Sequence, residues 1–162
     1  FMVNRNKEIY LKTLFLLSFV TLFLAYVIQY VLGFQPCNLC IIERIPYALS
    51  LIILILIYIF KKDEVFYSVL LLLVFAFSIL ISFYHFGIEQ GLISESSVCA
   101  SYVTDLTTKD QILKSFEEIR ISCKDVAFRI FGLSLTTYNI IISLLMFFIS
   151  TKVYLICNEI KK

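Results

Sequence analysis

Four runs of this chain are long, apolar and nearly free of charge, and they limit its possible folds more than any other feature. They are Leu14 to Phe34, Ile45 to Phe60, Val65 to Phe86 and Ile130 to Ser150. A hydrocarbon core about 30 Å thick takes roughly 20 helical residues to cross. Three runs meet that length. The second does so once it is extended back to Cys40, with Glu43 and Arg44 at its mouth. The runs are uniformly apolar rather than alternating, which disfavours membrane strands. Only 16% of the residues are charged, against about 25% in a soluble domain, so the excess apolar surface needs lipid. The expected fold is an all-α membrane protein, a four-transmembrane-helix bundle forming one domain over residues 1–162. Its helices are expected at about 10–34, 41–60, 64–86 and 130–155, with outer loops at about 35–40 and 87–129.

The first run is too long for a signal-peptide core and no small-residue cleavage site follows it, so a retained first helix is expected. A formal net charge of +2, with no basic patch interleaved with aromatics, gives no footprint for nucleic acid. The basic residues set the orientation. Arg5, Lys7 and Lys12 precede the first helix, Lys61 and Lys62 separate the second from the third, and Lys152, Lys161 and Lys162 follow the fourth. These clusters share one side, which the positive-inside rule makes cytoplasmic, with both termini there.

That topology sorts the five cysteines. Cys37 and Cys40 fall in the short outer loop, Cys99 and Cys123 in the long one, and Cys157 lies alone on the inner side. Four thiols thus sit where disulfides persist, in two pairs. In the long loop, Thr108 and Gln111 read as a capping box. Ile112, Leu113, Phe116 and Ile119 then share one helical face, which suggests a short amphipathic helix on the membrane surface or packed on the other loop.

Cys37-Asn38-Leu39-Cys40 follows Pro36 and leads into the second helix. Unpaired backbone N–H groups at a helix start favour thiolate, the reactive form. Arg44, four residues after Cys40, brings a permanent positive charge to the same face. Pro46 is tolerable if the regular helix starts near Glu43. Ionisable residues at this depth usually serve a site, although Glu43 and Arg44 can also be read as headgroup anchors. Tyr47 reads either as pocket lining or as an interfacial aromatic. His85, the single histidine, reads as a site residue or as a buried imidazole bonded to a carbonyl. Redox chemistry, a structural disulfide pair and a four-cysteine zinc site all remain open for the cysteines, but the 23-residue gap between Cys99 and Cys123 suits zinc poorly.

The motif Pro36-Cys37-Asn38-Leu39-Cys40-Ile41-Ile42-Glu43-Arg44 resembles the DsbB family of bacterial inner-membrane disulfide bond formation proteins. Tyr84-His85-Phe86-Gly87-Ile88-Glu89, Cys123-Lys124-Asp125, Phe131-Gly132-Leu133-Ser134 and Tyr138-Asn139 fit the same pattern. The order of motifs argues against the four-helix vitamin K epoxide reductase group, whose Cys-x-x-Cys comes late in the chain. The resemblance implies a thiol:quinone oxidoreductase that reoxidises a periplasmic thioredoxin-fold protein of DsbA type. The partner would attack a Cys99–Cys123 disulfide at Cys99. Freed Cys123 would attack Cys37, and the released Cys40 would react beside Arg44 with ubiquinone or menaquinone. Arg44, His85, Glu43 and Tyr47 are the expected quinone-binding residues, and no metal is expected.

Overall fold

The computed structural model describes residues 2–60, 63–94, 99, 122–124, 129–130 and 132–161. The expected amphipathic helix at 108–119 and the pair Lys61–Lys62 lie outside the described residues. The elements are α1 (Met2–Tyr30), α2 (Asn38–Ile42), α3 (Ile45–Ile59), α4 (Glu64–Glu89), β1 (Arg129–Ile130), β2 (Leu133–Ser134) and α5 (Leu135–Lys161). Among the described residues, four helical spans are long and apolar enough to cross a membrane: Arg5–Tyr30, Asn38–Ile59, Glu64–Glu89 and Leu135–Ile160. The architecture is the four-helix membrane bundle that the apolar runs require.

Bundle surface and bundle centre divide by residue type. Phe23, Leu73, Phe77, Leu80 and Phe148 point outward and are exposed, as lipid-facing side chains must be. The centre holds Leu14, Ile57, Leu71, Phe75, Met146 and Val153, together with buried Ser18, Ser50, Ser68, Ser78, Ser82, Ser143 and Ser150. Lipid is as apolar as leucine, so helices associate in it through close packing at small residues and through interhelical hydrogen bonds. Ser18 and Ser50 join α1 to α3 at 2.7 Å, and Ser78 and Ser143 join α4 to α5 at 2.8 Å. Among the described residues, Ser150 Oγ is the buried side-chain polar atom that lacks a partner.

Three local features shape the end of the bundle that carries Cys37 and Cys40. The second span is two helices rather than one. Arg44 N–H donates to Ile41 O, a tightened turn, and α3 restarts at Ile45 with Pro46 in its first turn, where a missing N–H costs nothing. At the end of α4, Gly91 takes φ 72°. Its N–H donates to Ile88 O, and Leu92 N–H donates to Gly87 O at 2.8 Å, the left-handed glycine stop of a helix. A Cβ on Gly87 would stand 2.7 Å from Ile93 Cδ1, so the returning chain passes directly over that position. Last, the antiparallel pair β1–β2, with Arg129 opposite Ser134, precedes α5. That helix therefore starts at Leu135 rather than near 130.

At the opposite end, Lys7 Nζ donates to Glu64 Oε2 at 2.7 Å, with side chains only 11% and 16% exposed. Lys7 is thus not a free headgroup cation but a tie between α1 and α4. Cys157 is buried beside this pair, 3.7 Å from Ser68 Oγ and 4.0 Å from Glu64 Oε2. Glu64→Gln should lower stability by on the order of 1–3 kcal/mol, because it strands a buried ammonium. The check is thermal unfolding in detergent, where Lys7→Met added to Glu64→Gln recovers part of the loss.

Candidate functional site

Cys37, Cys40, Cys99 and Cys123 meet in one place. Cys99 and Cys123 form a disulfide with Cα atoms 5.4 Å apart. With Cys37, Leu39 and Ile88 they make a single buried cluster, against which Cys40, Ile42 and Tyr84 pack. Cys37 is 5% exposed and Cys99 and Cys123 are each 3% exposed, whereas Cys40 is only half-buried. Cys37 Sγ lies 2.7 Å from Cys40 Sγ, so the pair can close into a disulfide without moving the backbone.

The cap of α2 separates the two sulfurs. Cys37 is the N-cap residue, and its Sγ accepts from the Cys40 N–H at 3.2 Å. His85 Nε2 stands 3.6 Å from the same sulfur. The contacts that favour thiolate therefore gather on Cys37, whereas the sequence pointed to Cys40. The Cys37 thiol is lowered to about 5, first by its hydrogen bond with the Cys40 thiol and then by His85, with burial acting against both.

His85 is the hub. It sits one turn before the glycine stop of α4 and is 3% exposed. Its Nδ1 lies 3.1 Å from Glu43 Oε1 and 3.4 Å from Thr136 Oγ1. A carboxylate accepts only, so it holds the proton on Nδ1 and turns Nε2 toward Cys37. The break between α2 and α3 turns Glu43 inward, where it is 7% exposed. The headgroup-anchor reading of Glu43 is overturned, since an anchor has to reach water.

Tyr47 is corrected in the same way. It is 2% exposed, its hydroxyl donates to Asn139 Oδ1, and Ser143 Oγ lies 2.9 Å away. Asn139 Nδ2 in turn donates to Ser82 Oγ at 2.7 Å. It is a core residue with a satisfied hydroxyl, not an interfacial aromatic. Arg44 faces α1, where its guanidinium donates to Gln29 Oε1 at 2.5 Å and lies 5.1 Å from the centre of the Tyr26 ring. Gln29, Tyr26, Thr136 and the bonding role of Asn139 were missed from the sequence. Gln29 could have been found as an uncharged polar residue inside a membrane span, where such groups seek partners.

A cavity of about 560 Å³ joins these groups. Leu17, Leu24 and Ile28 of α1 and Ile142 of α5 form its apolar wall. Cys37, Cys40, Glu43, Arg44, Tyr47, His85 and Cys123 line it as well. An apolar chamber with a few convergent polar groups suits a small apolar ligand with a polar head. An oxidisable dithiol at its polar end adds redox chemistry.

Comparison with known proteins gives the same direction. The family model described as "Disulfide bond formation protein DsbB" matches residues 7–153. An uncharacterized protein of Rickettsia prowazekii (strain Madrid E), RP370, is 28% identical over 131 residues, which are 79% of this chain and 76% of the relative. No solved structure matches.

The lowered Cys37 thiol has a pH signature. Its thiolate should predominate above about 5 and disappear as pH falls through that value. Alkylation at Cys37 of the reduced protein by a small iodoacetamide, followed by mass spectrometry, should be flat from about pH 6 upward. In His85→Ala the rate should instead still be rising across that range.

Proposed function

The chain belongs to the DsbB family of disulfide bond formation proteins, and on that premise we propose that it oxidises a periplasmic dithiol protein of the DsbA type and passes the electrons to a membrane quinone. It is a multi-pass membrane protein. The proposal places it in the bacterial inner membrane with both termini cytoplasmic, so that the four clustered cysteines face the periplasm. The observation that carries the reading is the meeting of both cysteine pairs in one buried cluster at the polar end of an apolar cavity.

The chain's own residues support a two-pair exchange. A partner thiolate attacking Cys99 forms a mixed disulfide and frees Cys123 as thiolate. Cys123 attacks Cys37 in the neighbouring pair and releases Cys40. The partner's second thiol then resolves the mixed disulfide, and Cys99 returns to Cys123, which leaves Cys37 and Cys40 reduced. The net exchange moves two electrons and two protons from the partner dithiol to the inner pair. Burial of Cys37 with Cys123 and the half-buried position of Cys40 on the cavity agree with this division.

Ubiquinone or menaquinone, when bound, supplies an acceptor for two electrons and two protons. Cys40, Arg44 and Tyr47 at the polar end and the α1 wall would hold it. Arg44 brings fixed positive charge to the place where negative charge develops on a ring oxygen. Gln29 and Tyr26 hold the guanidinium in place. His85, with Glu43 behind it, can take a proton from Cys37 and hold it at Nε2.

The test is quinone reduction by purified protein supplied with a reduced thioredoxin-fold oxidase. Cys40→Ser should abolish turnover, and Cys99→Ser should remove the mixed disulfide with the partner. Full activity of Cys99→Ser on the protein dithiol would sink the two-pair relay. Arg44→Ala and, to a smaller extent, Gln29→Ala should raise KM for quinone while leaving KM for the partner near its original value. A loss of about 1.5–3 kcal/mol is the scale for a hydrogen bond to a charged group. If both variants keep the original KM for quinone, the cavity is not the acceptor site.

A further inference from the structure

We propose that the reduced Cys37–Cys40 pair joins His85 in binding one thiophilic cation of the zinc type, so that the redox centre doubles as a metal site when its disulfide is open. The inference does not depend on the quinone reading, because it concerns only the reduced pair and a cation.

Three ligand atoms, Cys37 Sγ, Cys40 Sγ and one nitrogen of His85, lie within 4.8 Å of one another. Zn–S bonds of about 2.3 Å and Zn–N bonds of about 2.0–2.1 Å at a tetrahedral angle put sulfur and nitrogen about 3.6 Å apart. Cys37 Sγ and His85 Nε2 are separated by 3.6 Å. The two sulfurs, at 2.7 Å, would have to part to about 3.8 Å on the same bond lengths. That is a side-chain rotation, and it is available to the half-buried Cys40.

The surroundings of the imidazole match those of a metal ligand. A metal-bound histidine commonly donates its other N–H to a carboxylate, which fixes the tautomer and aims the free nitrogen at the ion. Glu43 Oε1 stands 3.1 Å from His85 Nδ1, and Thr136 adds a second contact at 3.4 Å. The fourth position opens on the cavity that Cys40, Arg44 and His85 line, leaving room for water.

The chemistry balances without an electron. Two thiols give up two protons and bind the cation as thiolates. Oxidation of Cys37 and Cys40 to the disulfide by a two-electron oxidant such as diamide, which takes up the electron pair, removes both thiolates and expels the ion. Occupancy would therefore hold the pair reduced and stop its exchange with Cys123.

The experiment uses full-length protein in detergent carrying Cys99→Ser, Cys123→Ser and Cys157→Ser, titrated with Cd2+ alone. Thiolate-to-metal absorbance and competition with a chelator are read. The reduced protein should bind one Cd2+ and the oxidised protein none, a comparison that needs no substitution within the site. Glu43→Gln should weaken binding by about tenfold to a hundredfold, and His85→Ala by at least as much. Equal binding by the oxidised form would overturn the proposal. So would an affinity unchanged in His85→Ala, which would mean that the two sulfurs bind the metal without the imidazole.

Discussion

A polar group inside a lipid-embedded bundle has no water to fall back on, so it must find its partner within the protein. The half of this molecule that carries Cys37 and Cys40 is arranged around that cost. His85 needs partners for both ring nitrogens and takes Glu43 and Cys37. Glu43 can reach His85 because the helical span breaks at Glu43–Arg44 and turns the carboxylate inward. Asn139 connects Tyr47 to Ser82, and Ser143 connects Tyr47 to Ser78. These bonds tie α3, α4 and α5 together beneath the sulfurs. The network that satisfies the buried groups is the same one that fixes the reacting atoms.

Much of the fold was legible because lipid simplifies the pattern. Length and absence of charge alone identified four spans. The helix ends were less legible. The early stop of α1 at Tyr30, the late start of α5 at Leu135 and the split of the second span depend on turn geometry that an apolar run does not encode. Pro46 was the exception, since its missing N–H required a helix start close by.

The site was legible as a set of residues but not as a set of contacts. Cys37, Cys40, Arg44 and His85 stand out by type and place. Their pairings depend on how each helix is rotated about its axis, and an all-round apolar helix gives no such information. Glu43 and Tyr47 consequently admitted an interface reading beside the site reading, although both are buried. Gln29 was hidden for the same reason, because a single amide in an apolar run does not announce that it faces an arginine fifteen positions later. The thiolate-favouring contacts fell on Cys37 rather than Cys40 because α2 begins one residue after Cys37 and is capped by it.

The burial of Cys37, Cys99 and Cys123 has a consequence for chemical reactivity. Thiol–disulfide exchange needs a thiolate to approach the sulfur it attacks, so the rate depends on access as well as on acidity. Cys99 and Cys123 are each 3% exposed and Cys37 is 5% exposed. Burial therefore slows attack at these sulfurs by any thiol until they are uncovered. Burial of this kind separates the acidity of a sulfur from its availability, so Cys37 can hold its thiolate and still react slowly.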